Sequence, residues 1–357
     1  MNRHNSPEWR RFSRMRADRQ RKARKRFQRH TKERNRAKDS SALSRGTGRG
    51  PKPVRRTEIV GPKSFSIITN YSESNAFLNR VRQLLYANKK IFVDLEETRQ
   101  ITLEAVLVLL EIIKDVGGKK SSKRISAAIG KGPLSNTAAG TTLVESGFFD
   151  HVASDLPAHL LQHGKGKMLP RKGTRVNNDT ADAFCQRAAK AIFVDRETLP
   201  AVYRTFIELM GNTRQHANPK EETTELWWAM ANVDAAVKRA KFAFYDAGVG
   251  IIGSFQTRLR KKLAALGLSP SDPEILEHLL TSTGKSQSRT KIPYRGKGLP
   301  AIAKALERNQ IENLRIVTNR VVADVSANTY QYLNEEFVGA LITWEVGKSN
   351  DNYSNLA

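Results

Sequence analysis

The chain has a single cysteine in 357 residues, Cys185, which excludes an intrachain disulfide and any metal cluster built on several thiolates. In DAFCQRAAKAIF it shares an expected helix with Phe184, Ala188 and Ala191, so it reads as a small buried hydrophobe and not a nucleophile. No run approaches the roughly 20 apolar residues of a membrane span. The first residues also lack the apolar segment of a secretory signal. The expectation is therefore a cytoplasmic protein without a membrane partner. Aromatic residues are sparse at 7%, and the 39% hydrophobic fraction is unevenly spread, with almost nothing to bury in the first fifty-odd residues. Acidic residues are short as well: 35 Asp and Glu face 61 Lys and Arg, a net charge of +26.

The excess positive charge is concentrated. Residues 1–57 hold 21 Lys and Arg against four acids (Glu8, Asp18, Glu33 and Asp39), so +17 of the +26 lies there. Self-repulsion and the lack of apolar side chains predict a disordered basic arm, ending in the linker composition SSALSRGTGRGPKPVRR. Phosphate neutralisation by residues 3–56 makes nucleic acid a candidate partner, with Trp9, Phe12 and Phe27 available to stack. A solubilising tail or a docking peptide for an acidic protein fits the same charge.

From residue 58 to 155 the pattern alternates between strand and helix. TEIVGP, SFSIITN, KKIFVDLEE and KRISAAIG read as strands. NAFLNRVRQLLYAN is an amphipathic helix, ITLEAVLVLLEIIKDVGG an apolar helix stopped by Gly117 and Gly118, and TAAGTTLVESGFFDHV a closing helix. The order argues for a small α/β domain. KIFVDLEETRQITLEAVLVLLEI and TTLVESGFFDHV resemble the STAS domain of anti-anti-sigma factors. The resemblance implies docking to a protein partner. That family's phosphorylatable serine is replaced here by Thr102 or Leu103, and Thr102 is expected to be a helix N-cap, with phosphoacceptor the alternative reading.

Residues 156–178 read as a basic, Gly-containing connector. Its flanking and internal histidines, His151, His159 and His163, lack the partners a metal site needs. A third segment, 179–347, opens with two helices, ADAFCQRAAKAIF and LPAVYRTFIELMGNTRQHA. In the second, Glu208, Asn212 and His216 recur at i, i+4 and i+8 on one face. A carboxylate can orient or deprotonate water. A carboxamide oxygen one turn away is a hard ligand suited to Mg²⁺, which fills most of its shell with phosphates and water. Tyr203, Phe206, Ile207 and Met210 are expected to hold this helix on a sheet.

TELWWAMANVD and KRAKFAFYDAGVG read as strands, the second ending in Asp246-Ala-Gly248-Val-Gly250. An Asp there can accept a hydrogen bond from an exocyclic amine, and the glycines let backbone approach a ligand. The polar stretch STGKSQSRTKIPYRGKG has the composition of a lid. In it Lys285, Arg289, Lys291 and Lys297 are candidate phosphate ligands, and Gly296-Lys297-Gly298-Leu299 leads into an apolar helix whose free N–H groups suit phosphate. NLRIVTN, NTYQYLN and GALITWEVG complete the expected strands, leaving 348–357 as a tail.

These segments, in this order, resemble the GHKL ATPase superfamily of gyrase, histidine kinases and mismatch-repair ATPases. The resemblance implies a Bergerat-type α/β sandwich that binds ATP and Mg²⁺. It implies Glu208 as general base, Asn212 as Mg²⁺ ligand and Asp246 as adenine reader. His216, Gly248, Gly250, Lys285, Gly296, Lys297, Gly298, Leu299 and Thr343 would line the nucleotide. The expected function is a Mg²⁺-dependent regulatory ATPase or switch. The alternatives are an anti-sigma-type serine/threonine kinase and a non-enzymatic nucleic-acid-binding nucleotide sensor. A histidine kinase is disfavoured, because no His-bearing dimerisation helix precedes the ATP domain. Related ATP domains dimerise, so a homodimer is a further expectation.

Overall fold

The computed structural model describes residues 56–116, 125–128, 138–150, 170–193, 195–216, 227–253, 270–281 and 298–350. The basic arm up to residue 55 and the expected lid lie outside these. The described residues build mixed α and β structure.

The first part pairs β1 (Thr57–Val60), β3 (Ile91–Asp94) and β5 (Ile125–Ala128) as a parallel sheet, order β1-β3-β5, with β2 (Ser64–Phe65) and β4 (Gln100–Ile101) as a separate parallel pair. Parallel neighbours require crossovers, and helices supply them. The first is α1 (Tyr71–Tyr86), which buries Phe77, Leu78, Val81, Leu84 and Leu85 on one side. The second is α2 (Leu103–Glu111), which continues as a π-turn through Val116. All nine residues of α2 are buried, Glu104 and Glu111 among them; the rest of LEAVLVLLE is apolar, as suits a helix covered on every side. A third helix, α3 (Ala138–Glu145), leads into a 3₁₀ turn at Phe148–Asp150.

The second part is a five-stranded antiparallel sheet in the order β6-β7-β8-β10-β9. Its strands are β6 (Arg171–Gly173), β7 (Trp227–Asp234), β8 (Arg239–Asp246), β9 (Glu312–Asp324) and β10 (Thr329–Gly347). One face is covered by α4 (Asn178–Ile192), α5 (Pro200–His216), α6 (Asp272–Thr281) and α7 (Gly298–Glu307). Asn177 caps α4 by accepting a hydrogen bond from the Thr180 N–H at 2.9 Å. Asp234 closes the β7–β8 turn by accepting from Ala236 and Val237 N–H groups.

Several elements differ from the sequence reading: of SFSIITN, expected as a strand, only Ser64–Phe65 pairs, and its partner is a short strand at Gln100–Ile101. Arg171–Gly173, expected within the connector, add an edge strand to β7, and the Trp227 indole N–H donates to the Arg175 carbonyl behind it. Helix α6 is not among the elements expected from the sequence, although Ile275, Leu276 and Leu280 recur at helical spacing and are buried. NTYQYLN and GALITWEVG form one 19-residue strand, in which register shifts between Tyr332 and Ala340 absorb the bend expected to separate them.

The opposite face of the five-stranded sheet meets the first part of the chain. Trp228, Met230, Ala243, Tyr245, Val317, Leu333, Phe337 and Leu341 join the apolar cluster that contains α1 and α2, and α2 lies over β7 and β8. At the rim, the Tyr71 hydroxyl donates to the Glu335 carbonyl at 2.9 Å. The ring of Tyr71 also meets Phe337. The two expected α/β domains therefore share a core, and all the described residues fall within one compact unit, Arg55–Ala357. Among these residues no helix is long and apolar enough to cross a membrane.

Candidate functional site

Helix α5 owes its position to Phe206, whose ring lies 4.9 Å from Trp344 and 5.7 Å from Phe242, both of the sheet. Phe184 of α4 stacks on its other side at 5.1 Å. Val202, Leu209 and Met210 are buried with it, while Tyr203 and Ile207 are partly buried. This packing aims the Glu208 and Asn212 side chains away from the core, where both are half-buried. Burial pushes the Glu208 carboxyl above its usual range, and the Arg204 guanidinium pulls it part of the way back. His216 ends the helix; its side chain lies outside the described residues.

Gly298, the first residue of α7, stands directly over this pair. A Cβ there would lie 2.8 Å from Asn212 Nδ2 and 3.0 Å from Glu208 Oε2. Any larger residue there would make the ends of both side chains shift. Leu299 points instead into the apolar cluster under the helices. Gly296 and Lys297, with Lys285, Arg289 and Lys291, lie outside the described residues.

Asp246 closes β8 beside the same helix. Its carboxylate accepts a hydrogen bond from the Gly248 N–H at 2.7 Å. Burial pushes its carboxyl up to about 6, against the lowering effect of the Gly248 N–H and of the Thr213 hydroxyl. Thr213, itself 2% exposed, gives its hydroxyl proton to the Leu209 carbonyl at 3.0 Å. It sits where the helix that carries Glu208 and Asn212 passes Asp246. Sequence reasoning missed it: a threonine in mid-helix gives no signal until the strand end beside it is known.

The glycine loop follows, with Gly250 at φ +77° opening a helical turn. A Cβ on Gly250 would collide with Asn319 Oδ1. Gly339 of β10 crosses Asp246 so closely that a Cβ would collide with its backbone carbonyl.

The structure brings Glu208, Asn212, Gly298, Asp246, Gly248 and Gly250 into one region, and it does not bring Thr343 there. Thr343 pairs with Ala243 in the β10–β8 register, so its side chain shares the sheet face of Ala243 and Leu341, which is covered by α2. Alternation along β10 puts Ile342 and Trp344, not Thr343, on the face of α5. The residue opposite Asp246 is Ala340, and the threonine nearest the loop is Thr318. Reading the last strand by pattern selected the wrong face because its bulges hide the register.

Cys185 lies in the core with its thiol 3.6 Å from the Leu199 carbonyl, and burial pushes that thiol up to about 12. Thr102 stands at the N-cap position of α2, but its hydroxyl does not cap the helix; it hydrogen-bonds to the Phe65 carbonyl and to the carboxyl of buried Glu104. No family model matches the chain, and no curated protein or solved structure is significantly similar to it.

Proposed function

We propose that the chain is a GHKL-type ATP-binding protein and a Mg²⁺-dependent regulatory ATPase, with a STAS-like segment docked on the back of its sheet. The observation that carries this reading is the meeting of three separate sequence segments. The start of α7 at Gly298 lies so close to Glu208 and Asn212 that a Cβ there would crowd both, and the same α5 helix passes beside the strand that ends in Asp246. The N–H groups at the start of α7 suit the phosphates. Asn212 offers a carboxamide oxygen to Mg²⁺. Among the described residues no group of three His, Cys, Asp or Glu could hold a metal, so phosphate and water would supply the other ligands.

The chemistry assigned to each residue follows from its surroundings. Glu208 is half-buried with its carboxyl raised, which suits a base that must take up a proton from water near neutral pH. Asp246 presents an acceptor at the strand end, braced by the Gly248 N–H, for the exocyclic amine of adenine. The magnesium ion neutralises phosphate charge when bound.

Calorimetric titration with Mg²⁺ and ATP tests the reading. Wild type should bind ATP saturably, and Asp246→Ala should lose at least tenfold in affinity. Glu208→Ala should still bind ATP but release phosphate about 100-fold more slowly. A wild-type protein that fails to bind ATP removes the whole reading. Labelled ATP in the same assay separates the alternatives, since a kinase transfers label to protein and a nucleotide sensor releases none.

A further inference from the structure

Two consecutive side chains of β9, Thr318 and Asn319, both reach the loop that follows Asp246. In a regular strand this is geometrically impossible, because successive side chains point to opposite faces. Asn319 breaks the alternation by adopting φ +49° in mid-strand, a left-handed conformation that asparagine tolerates better than most residues. The β9–β10 register jumps at the same place, from Phe337 opposite Asn319 to Ala340 opposite Thr318. The Arg320 N–H is taken by Asp272 of α6 at 3.2 Å.

The contacts made from this break are dense. Thr318 Oγ1 accepts from the Ile251 N–H at 2.9 Å and donates to the Gly339 carbonyl at 3.0 Å. Asn319 Oδ1 accepts from the Ile252 N–H at 3.1 Å and the Gly253 N–H at 3.4 Å. Its Nδ2 donates to the Val249 carbonyl at 3.1 Å. Thr318 is fully buried and Asn319 is 5% exposed. The three N–H groups at the start of the helical turn are thus occupied by protein side chains and are not free for an anion. The carbonyl of Gly339 bonded by Thr318 belongs to the residue that crosses the Asp246 backbone. The pair therefore fastens the glycine loop at both ends of its path, beside Asp246 and beyond Gly250.

We propose that Thr318 and Asn319 are positioning residues that hold the Asp246–Gly253 loop in its ligand-reading geometry and so set the affinity of the site for the base of its nucleotide. The proposal rests on the ATP reading above. Neither residue touches the reacting atoms; both act through the loop backbone.

The test is calorimetric titration of the full chain with ATP and Mg²⁺, reading affinity and stoichiometry separately. Asn319→Gly keeps the left-handed backbone without strain and removes the side chain. It should weaken ATP binding at least tenfold with the stoichiometry unchanged. Asn319→Asp retains Oδ1 as acceptor and should recover part of that loss. Thr318→Val should weaken binding similarly, and Thr318→Ser should restore it. Unchanged affinity in Asn319→Gly overturns the proposal. So does a fall in stoichiometry at constant affinity, which marks partial unfolding instead of mispositioning. If wild type binds no ATP, the ATP reading fails and takes this one with it. Wild-type binding with unaffected variants sinks the clamp alone.

Discussion

Asp246 places, in one side chain, a cost in stability beside the ligand-reading role proposed for it. A carboxyl held at about 6 in the folded chain and near 3.8 unfolded binds its proton more tightly when folded. Wild type therefore loses stability as pH rises from about 4 to 6, and the ionised group is a standing cost above that window. Asn keeps an acceptor for the Gly248 N–H but carries no charge. Asp246→Asn should accordingly gain thermal stability relative to wild type as pH rises from 4 to 7, with the two melting temperatures converging at acid pH. A difference independent of pH, followed by thermal melts in matched buffers, would remove burial as the origin of the shift. Asp246 was legible as a candidate only through the order of the segments around it, since DAGVG alone also reads as a simple turn. Its partners Thr213 and Asn319 were not, because they come from a mid-helix and a mid-strand position that carry no local signal.

At the scale of elements, two glycines show how the same substitution separates function from folding. Gly298→Ala places a methyl against the ends of the Glu208 and Asn212 side chains, which can swing aside. Ala also favours helix over Gly by about 0.5–1 kcal/mol. The variant should melt at or slightly above the wild-type temperature while ATP turnover falls at least tenfold. Gly339→Ala meets backbone, at φ +92° and against the Asp246 carbonyl, where nothing flexible can yield. It should cost ~2 kcal/mol or more, seen in denaturant unfolding. The elements α1, α2, α4, α5, α7, β7 and β8 were readable from periodicity. Strand β6 was not, since two basic residues and a glycine in a basic connector pair only because Trp227–Ala229 offer an open edge.

For the whole molecule, the shared cluster beneath α2 makes the halves interdependent. Trp227, Trp228 and Trp344 all lie in the five-stranded sheet, so tryptophan fluorescence reports chiefly on that half. Leu109, fully buried in α2, belongs to the other. Leu109→Ala should cost about 2–5 kcal/mol and shift the tryptophan transition together with the far-UV one. Separate transitions, with the tryptophan signal unmoved, would mean that the two parts fold independently. The shared core also constrains the STAS-like reading: α2 already faces β7 and β8 of its own chain, so docking of another protein falls to a different surface.

The sequence by itself determined most of the helices and strands and the concentration of charge in residues 1–57, and it offered Glu208, Asn212 and Asp246 as candidates. Each of these is written in local spacing, composition or chemical type. Only the tertiary structure decided that the two α/β parts share one apolar cluster, that Thr343 faces away from the site, and that Thr318 and Asn319 face it. Those facts depend on strand register and on which sheet face is covered. One left-handed residue or one bulge reverses the direction of a side chain without changing the hydrophobic pattern from which the strand is read.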